Sequence, residues 1–277
     1  MAPDPPRSPS TAPPAPTLDV LLGPAGPGGR IPAEPGEATL AELYAHPDPG
    51  AGAAWVRANM IATLDGAATG PDGRSGSING PADHRVFALL RSLADVVLVG
   101  AATVRAEGYR ELPIRADLAG PRATRGSRPA LELAVVTRSG PVPDELLDSA
   151  HPPLVVTVGD RPDLDGLRRR IGAERVVVAG TGDVDLARAL AALAARGLPR
   201  VLTEGGPHLL GRLLAAGLVD DLCLTTSPLI AGDPGPRVVA GTGWLSPPVP
   251  ARPAHLLHAD GVLLGRWLVG RHAEQAG

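Results

Sequence analysis

The sequence predicts an α/β protein built on one mixed sheet, with a parallel centre, an antiparallel C-terminal edge and helices on both faces. Three observations predict it. From residue 55 to about 215, short β-forming runs alternate with helical patterns, the order expected of parallel strands joined by helical crossovers. Residues 94–100 (ADVVLVG) are almost continuously apolar, as a strand buried on both faces must be. After residue 220 strands follow one another with no helix between them, which suits an antiparallel edge.

Taken in order, the first 16 residues are Pro, Ala and Ser with hardly an apolar anchor, and disorder is expected there. A short apolar piece at 18–22 and a second Gly/Pro stretch extend the expected disordered segment to residue 36. One domain is expected from 37 to 272, with a tail at 273–277. Residues 39–44 read as a short helix capped by Thr39, with Glu42 three positions on. Residues 55–64 read as a strand closed by Asp65-Gly66, and 71–80 as a polar loop. Pro81 opens a helix whose apolar face carries Val86, Leu89, Leu90 and Leu93. A short helix follows at 101–106, then a long polar loop over 107–128. Strands are expected at 131–136, 154–158 and 175–179, and helices at 164–171 and 184–195. The last strands are placed at 221–227, around Val238, at 254–258 and at 262–269.

Composition narrows the function classes. A net charge of −3 and the lack of any basic run give no footprint for nucleic acid. No apolar stretch is long enough to cross a membrane, and prolines stand where a signal peptide would need apolar residues. The single cysteine, Cys223, cannot make an internal disulfide and reads as a small buried hydrophobe. A cytoplasmic location is therefore expected.

Chemistry concentrates at Val201-Leu202-Thr203-Glu204-Gly205-Gly206-Pro207-His208-Leu209-Leu210-Gly211, a strand, a Gly-rich turn and a helix start. The free N–H groups and dipole of such a helix end favour an anion. Gly205 and Gly206 allow a pyrophosphate to approach the backbone, and Pro207 fits the first turn without wasting a donor. Glu204 sits where open sheets place their ligand crevice. Thr63–Gly66, Gly100–Thr103 and residues 137–139 are expected on the same rim. Singly, Asp65-Gly66 is an ordinary turn, Thr103 a cap and Thr137-Arg138-Ser139 a solvated loop; together they suit a nucleotide. Arg138, with hydroxyls beside it, would suit a 2′-phosphate. The seven histidines show no metal-ligand spacing, so no metal is expected. Neither a zinc-deaminase signature nor a G-x-S-x-G elbow is present.

From residue 55 onwards the chain resembles the reductase domain of riboflavin biosynthesis, which has a dihydrofolate reductase-like fold. The resemblance rests on Thr63-Leu64-Asp65-Gly66, on Ala94 to Gly100 followed by Thr103-Val104, and on Thr203-Glu204-Gly205-Gly206 with Leu218-Val219-Asp220-Asp221. It implies an NADPH-dependent oxidoreductase, commonly a homodimer, that reduces the ribosyl group of 5-amino-6-ribosylamino-pyrimidinedione 5′-phosphate to ribityl. It also implies site residues. Ser75, Arg91, Leu112, Arg115 and Glu204 fall at the substrate, with Arg91 on its phosphate and Arg115 standing in for a second phosphate arginine. Ile61, Ser77, Thr103, Glu107, Thr137, Arg138 and Gly205, Gly206, Pro207, His208, Leu209 and Leu210 fall at NADPH. Glu204 and Asp65 are the candidates for ordering a proton-donating water. Two departures stand out: Ala67 replaces a family lysine, and residues 107–115 (EGYRELPIR) replace the usual Asp-Asp-Pro segment. Two other readings remain open. One is a pterin reductase such as a dihydrofolate reductase, which would need a buried carboxylate against the ring. The other is a non-catalytic nucleotide- or flavin-binding protein.

Overall fold

In the computed structural model, which describes residues 15–232, 235–270 and 272, the chain begins with β1 (Leu18–Leu22), β2 (Arg30–Ile31) and α1 (Ala38–Leu43). The alternating part follows as β3 (Trp55–Thr63), α2 (Pro81–Leu93), β4 (Val96–Gly100), α3 (Ala101–Glu107), α4 (Ala116–Thr124), β5 (Glu132–Val136), α5 (Asp144–Leu147) and β6 (Leu154–Thr157). It continues through α6 (Leu164–Ile171), β7 (Val176–Val178), α7 (Leu186–Ala195), β8 (Arg200–Thr203) and α8 (Pro207–Ala215). Three strands close the chain: β9 (Asp221–Ser227), β10 (Ala251–Ala259) and β11 (Val262–Val269).

Among the described residues the strands make one sheet in the order β2-β1-β10-β11-β9-β3-β8-β4-β5-β6-β7. Every pair from β9 through β7 is parallel, while β11, β10, β1 and β2 pair antiparallel beyond β9. The mixed sheet is as expected, with the change of direction one strand later, because β9 lies parallel beside β3.

Strand β4 shows how the sequence dictates two cores. Val97 and Val99 join a cluster with Leu89, Leu90 and Leu93 of α2, whereas Val96 and Leu98 join one with Leu190 and Leu193 of α7 and Leu210 and Leu213 of α8. Alternation along the strand sends successive side chains to opposite faces, so a run apolar at every position needs helices on both. Each fully buried Val or Leu contributes roughly 1.5–3 kcal/mol relative to exposure.

Several expectations are corrected. The disordered segment does not reach residue 36: Leu18 and Ile31 are core residues, and β1 pairs with β10. Arg85 supplies the reason. Its buried guanidinium donates to the Glu37 carboxylate at 2.6 and 2.9 Å and to the carbonyls of Pro16, Ile31 and Pro32. The part of that expectation covering residues 1–14, and the tail at 273–277, lie outside the described residues. Thr39 is not the cap of α1; Glu37 holds that place, and the Thr39 N–H bonds Glu34. The loop over 107–128 contains α4, whose Arg122 is buried and donates to the carbonyls of Ser92, Ala94, Arg128 and Ala130. Those carbonyls include orphan acceptors at the end of α2, which explains why a charged residue sits inside. The segment around Val238 is no strand. It belongs to a strap, described over 228–232 and 235–250, that meets α8 where the Ala240 N–H bonds the Pro207 carbonyl at 3.1 Å.

Candidate active site

Because β3, β8 and β4 are parallel neighbours, their C-terminal ends open on one rim. There a cleft of about 750 Å³ is walled by β3, the 68–79 loop, α2, the start of α3, the 106–112 segment, the start of α8 and the strap. That volume suits a ligand of drug or cofactor size.

One wall is the Gly-rich turn. Gly205 adopts φ +94°, open to glycine and strained for other residues, and a Cβ on Gly206 would run into the Thr103 hydroxyl. The first internal bond of α8 is Leu210 N–H to the Gly206 carbonyl, so the N–H groups of His208 and Leu209 precede it. With no side chain at the turn and donors at the helix end, this wall fits a pyrophosphate.

The floor carries ionisable groups. Glu204 follows β8, and its side chain is only 3% exposed. Arg91, in the last turn of α2, grips it with two bonds, Nε to Oε1 and Nη2 to Oε2, each 2.7 Å. Tyr109 adds its hydroxyl to Oε2 at 2.5 Å. The Arg91 guanidinium also lies 4.2 Å over the ring of Phe87, one turn earlier on α2. Tyr109 reaches the site because α3 ends at Gly108 with a left-handed φ of 69°, and its own N–H then closes on the Val104 carbonyl. Burial first, and the Glu204 charge second, push the Tyr109 hydroxyl well above its usual range. A second carboxylate, Asp83 in the first turn of α2, is 4% exposed and accepts a hydrogen bond from the Thr225 hydroxyl of β9. Burial raises its carboxyl, and the Thr225 bond opposes that.

The expected site residues divide. Ile61, Ser75, Arg91, Thr103, Glu107, Leu112, Glu204, Gly206, Pro207, His208 and Leu209 all line the cleft. Arg91 and Glu204, expected to meet the substrate separately, grip each other. Glu107 accepts the Ser75 N–H at 3.0 Å, which fixes the mouth of the 68–79 loop.

The others lie elsewhere, each for a visible reason. Asp65 is outside the cleft wall, accepting from the Thr63 hydroxyl and from the N–H groups of Ala231 and Gly232. These bonds hold its carboxyl far below the usual range and staple the strap to the end of β3. Arg115 caps α4, forked onto Asp117 at 2.7 and 2.8 Å and facing Glu37 at 3.5 Å. Ser77 turns to Asp72 and the Arg74 carbonyl. Thr137 bonds the Gly140 carbonyl and, with Arg138, follows β5, one strand beyond the cleft. Leu210 is fully buried in the core, and Gly205 sits behind Gly206 against Met60.

Asp83, Phe87, Tyr109 and Arg110 line the cleft without having been singled out from the sequence. An acidic residue after a helix-opening Pro is common for dipole reasons, so Asp83 carried no readable signal. Tyr109 and Arg110 stood in the stretch that departs from the expected pattern, the signal that was available. Among the described residues no group of three or more His, Cys, Asp or Glu could hold a metal ion, and no helix is long and apolar enough to cross a membrane.

Comparison with known proteins gives a match to the RibD C-terminal domain over residues 54–263. Two curated relatives, from Methanothermobacter thermautotrophicus and Archaeoglobus fulgidus, are each described as a 2,5-diamino-6-ribosylamino-4(3H)-pyrimidinone 5′-phosphate reductase. The first is 33% identical over 191 residues, covering 68% of this chain and 85% of that protein. The second is 29% identical over 194 residues, covering 69% and 88%. A solved structure of a pyrimidine reductase-like protein from Corynebacterium diphtheriae superposes with a TM-score of 0.68 at 27% identity, covering 79% of this chain and 92% of that one.

Proposed function

The chain belongs to the RibD C-terminal domain family, and we propose that it is an NADPH-dependent reductase of the ribosyl group of a phosphorylated aminopyrimidine. One observation carries the reading. Glu204, the fixed carboxylate of the floor, directly precedes the Gly205-Gly206 turn and the free N–H groups of α8, so a substrate anchor and a dinucleotide cradle meet at the end of one strand. Gly206, His208 and Leu209 would hold the NADPH pyrophosphate, and bound there the cofactor supplies the hydride.

The protein's part is placement. Arg91 and Tyr109 fix Glu204 in one orientation, so the lone pair left on Oε1 can accept a hydrogen from the substrate. Ser75, Leu112 and Phe87 close the walls around the ring and limit the water that reaches the accepting carbon. A water ordered by Glu204 is the proposed proton source.

The test is NADPH oxidation by the full chain, offered the 2-amino and the 2-oxo forms of the ribosylaminopyrimidine phosphate, with dihydrofolate in parallel. Oxidation with either pyrimidine supports the proposal, and the preferred form names the substrate. Glu204→Gln should then lower kcat/KM by roughly 10–100-fold, the size of one lost charge-assisted interaction.

A second reading, pterin reduction, is favoured by one specific feature: Asp83 is a buried carboxylate on the cleft floor, able to accept paired N–H groups from a pterin or pyrimidine edge. Turnover of dihydrofolate alone, abolished in Asp83→Asn, would select it. If NADPH binds and neither substrate class is reduced, the protein is a nucleotide-binding one.

A further inference from the structure

We infer that Arg110, at the mouth of the cleft, is the residue that anchors the substrate's phosphate. The inference rests on the proposed phosphorylated substrate, but it concerns a residue that neither the motifs nor the resemblance singled out.

A phosphate dianion entering a cleft needs a cation whose donors are free. The two arginines expected for that task are already paired with carboxylates. Arg91 spends its Nε and Nη2 edge on Glu204 at 2.7 Å, and a phosphate there would confront a carboxylate only 3% exposed. Arg115 is forked onto Asp117 and lies outside the cleft. The remaining arginine in the wall is Arg110, which is exposed and makes no hydrogen bond or ion pair among the described residues.

Its place along the chain is nonetheless set by its neighbours. Gly108 turns the chain in the left-handed conformation, and the next residue is pinned twice, by Tyr109 N–H to the Val104 carbonyl and by its hydroxyl to Glu204. Tyr109 therefore reaches the floor while Arg110 stays at the mouth. A substrate lying between them puts its ring against Glu204 and its charged end at Arg110, where the phosphate keeps part of its hydration.

Two carboxylates share this rim. Glu107 already accepts the Ser75 N–H at 3.0 Å, whereas Glu111, next to Arg110, is exposed and opposes a bound phosphate. Removing Glu111's charge should therefore act in the opposite direction from removing Arg110's.

The experiment is calorimetric titration of the full chain, with NADPH present, using ribose 5-phosphate and ribose as probes. Ribose 5-phosphate should bind and ribose should not. Arg110→Gln should weaken that binding roughly tenfold or more, the size of one arginine–phosphate fork. Arg115→Gln should leave it unchanged, and Glu111→Gln should tighten it. Unchanged binding in Arg110→Gln overturns the inference, as does a wild-type chain that ignores ribose 5-phosphate. Binding through Arg110 without NADPH oxidation on the aminopyrimidine phosphates leaves the anchor standing and rejects the proposed reaction.

Discussion

Glu204 holds three donors on two oxygens, two from Arg91 and one from Tyr109, and that count governs what single substitutions do. Arg91→Met leaves a nearly buried carboxylate without its counter-charge and should destabilise the fold by about 3–5 kcal/mol. The double variant Arg91→Met/Glu204→Leu should recover most of that loss, because no charge is then stranded; chemical denaturation of the three proteins checks both. Asp83 offers a pH test. Its folded carboxyl is raised by burial, so the folded chain binds the proton more tightly than the unfolded one. Stability contributed by this group is thus full below the ordinary aspartate range and is lost as pH rises through the raised value. Asp83→Asn should remove that loss, and its asparagine oxygen can still accept from Thr225. A denaturation series across pH that keeps the same slope in the variant would refute the assignment.

At the scale of elements, the strap and α8 behave as one wall. A Cβ on Gly211 of α8 would press into the Ala240 carbonyl and the Thr242 methyl group. Because the first of these is backbone, the strap must move rather than a side-chain tip. Gly211→Ala should lift Pro236 and Ala240 from the cleft, raise the NADPH dissociation constant and lower Tm as well, since Gly211 is buried and Val238 and Val239 of the strap pack against the core beneath α8. Titration of NADPH against both proteins checks it. The other staple of the strap, Asp65, reads in the sequence as a candidate proton-ordering group. Its neighbours Ala231 and Gly232 are distant in sequence, so nothing local could reveal that its oxygens were already engaged.

Across the whole molecule, buried charge ties the ends of the chain to the sheet. Asp221 sits between Arg57 and Arg266, and those arginines also donate to the Tyr44 and Leu43 carbonyls, binding α1 to β3, β9 and β11. Beside them His255 is buried, edge-on to Tyr44, and burial with the two arginines pushes its imidazole down to about 3. The unfolded chain takes up that proton near pH 6.5, so stability should fall as pH drops from there toward about 3. His255→Leu should flatten this acid limb of the stability curve. Removing residues 1–32 deletes β1, β2 and three carbonyl acceptors of Arg85, and should lower Tm by about 10 °C. By itself the sequence determined the alternating strands and helices, the two-faced apolar run at 94–100, and the turn at 204–207, because periodicity, caps and glycines act over a few residues. Tertiary structure alone decided that β9 runs parallel to β3, that the Gly/Pro-rich stretch before residue 37 joins the sheet, and that Arg91 and Tyr109 both close on Glu204. Those outcomes depend on groups far apart in sequence, 113 positions for Arg91 and Glu204 and 164 for Arg57 and Asp221 across β3 and β9. A side chain's partner at that range is set by which strands the fold places side by side, and short-range pattern carries no record of it.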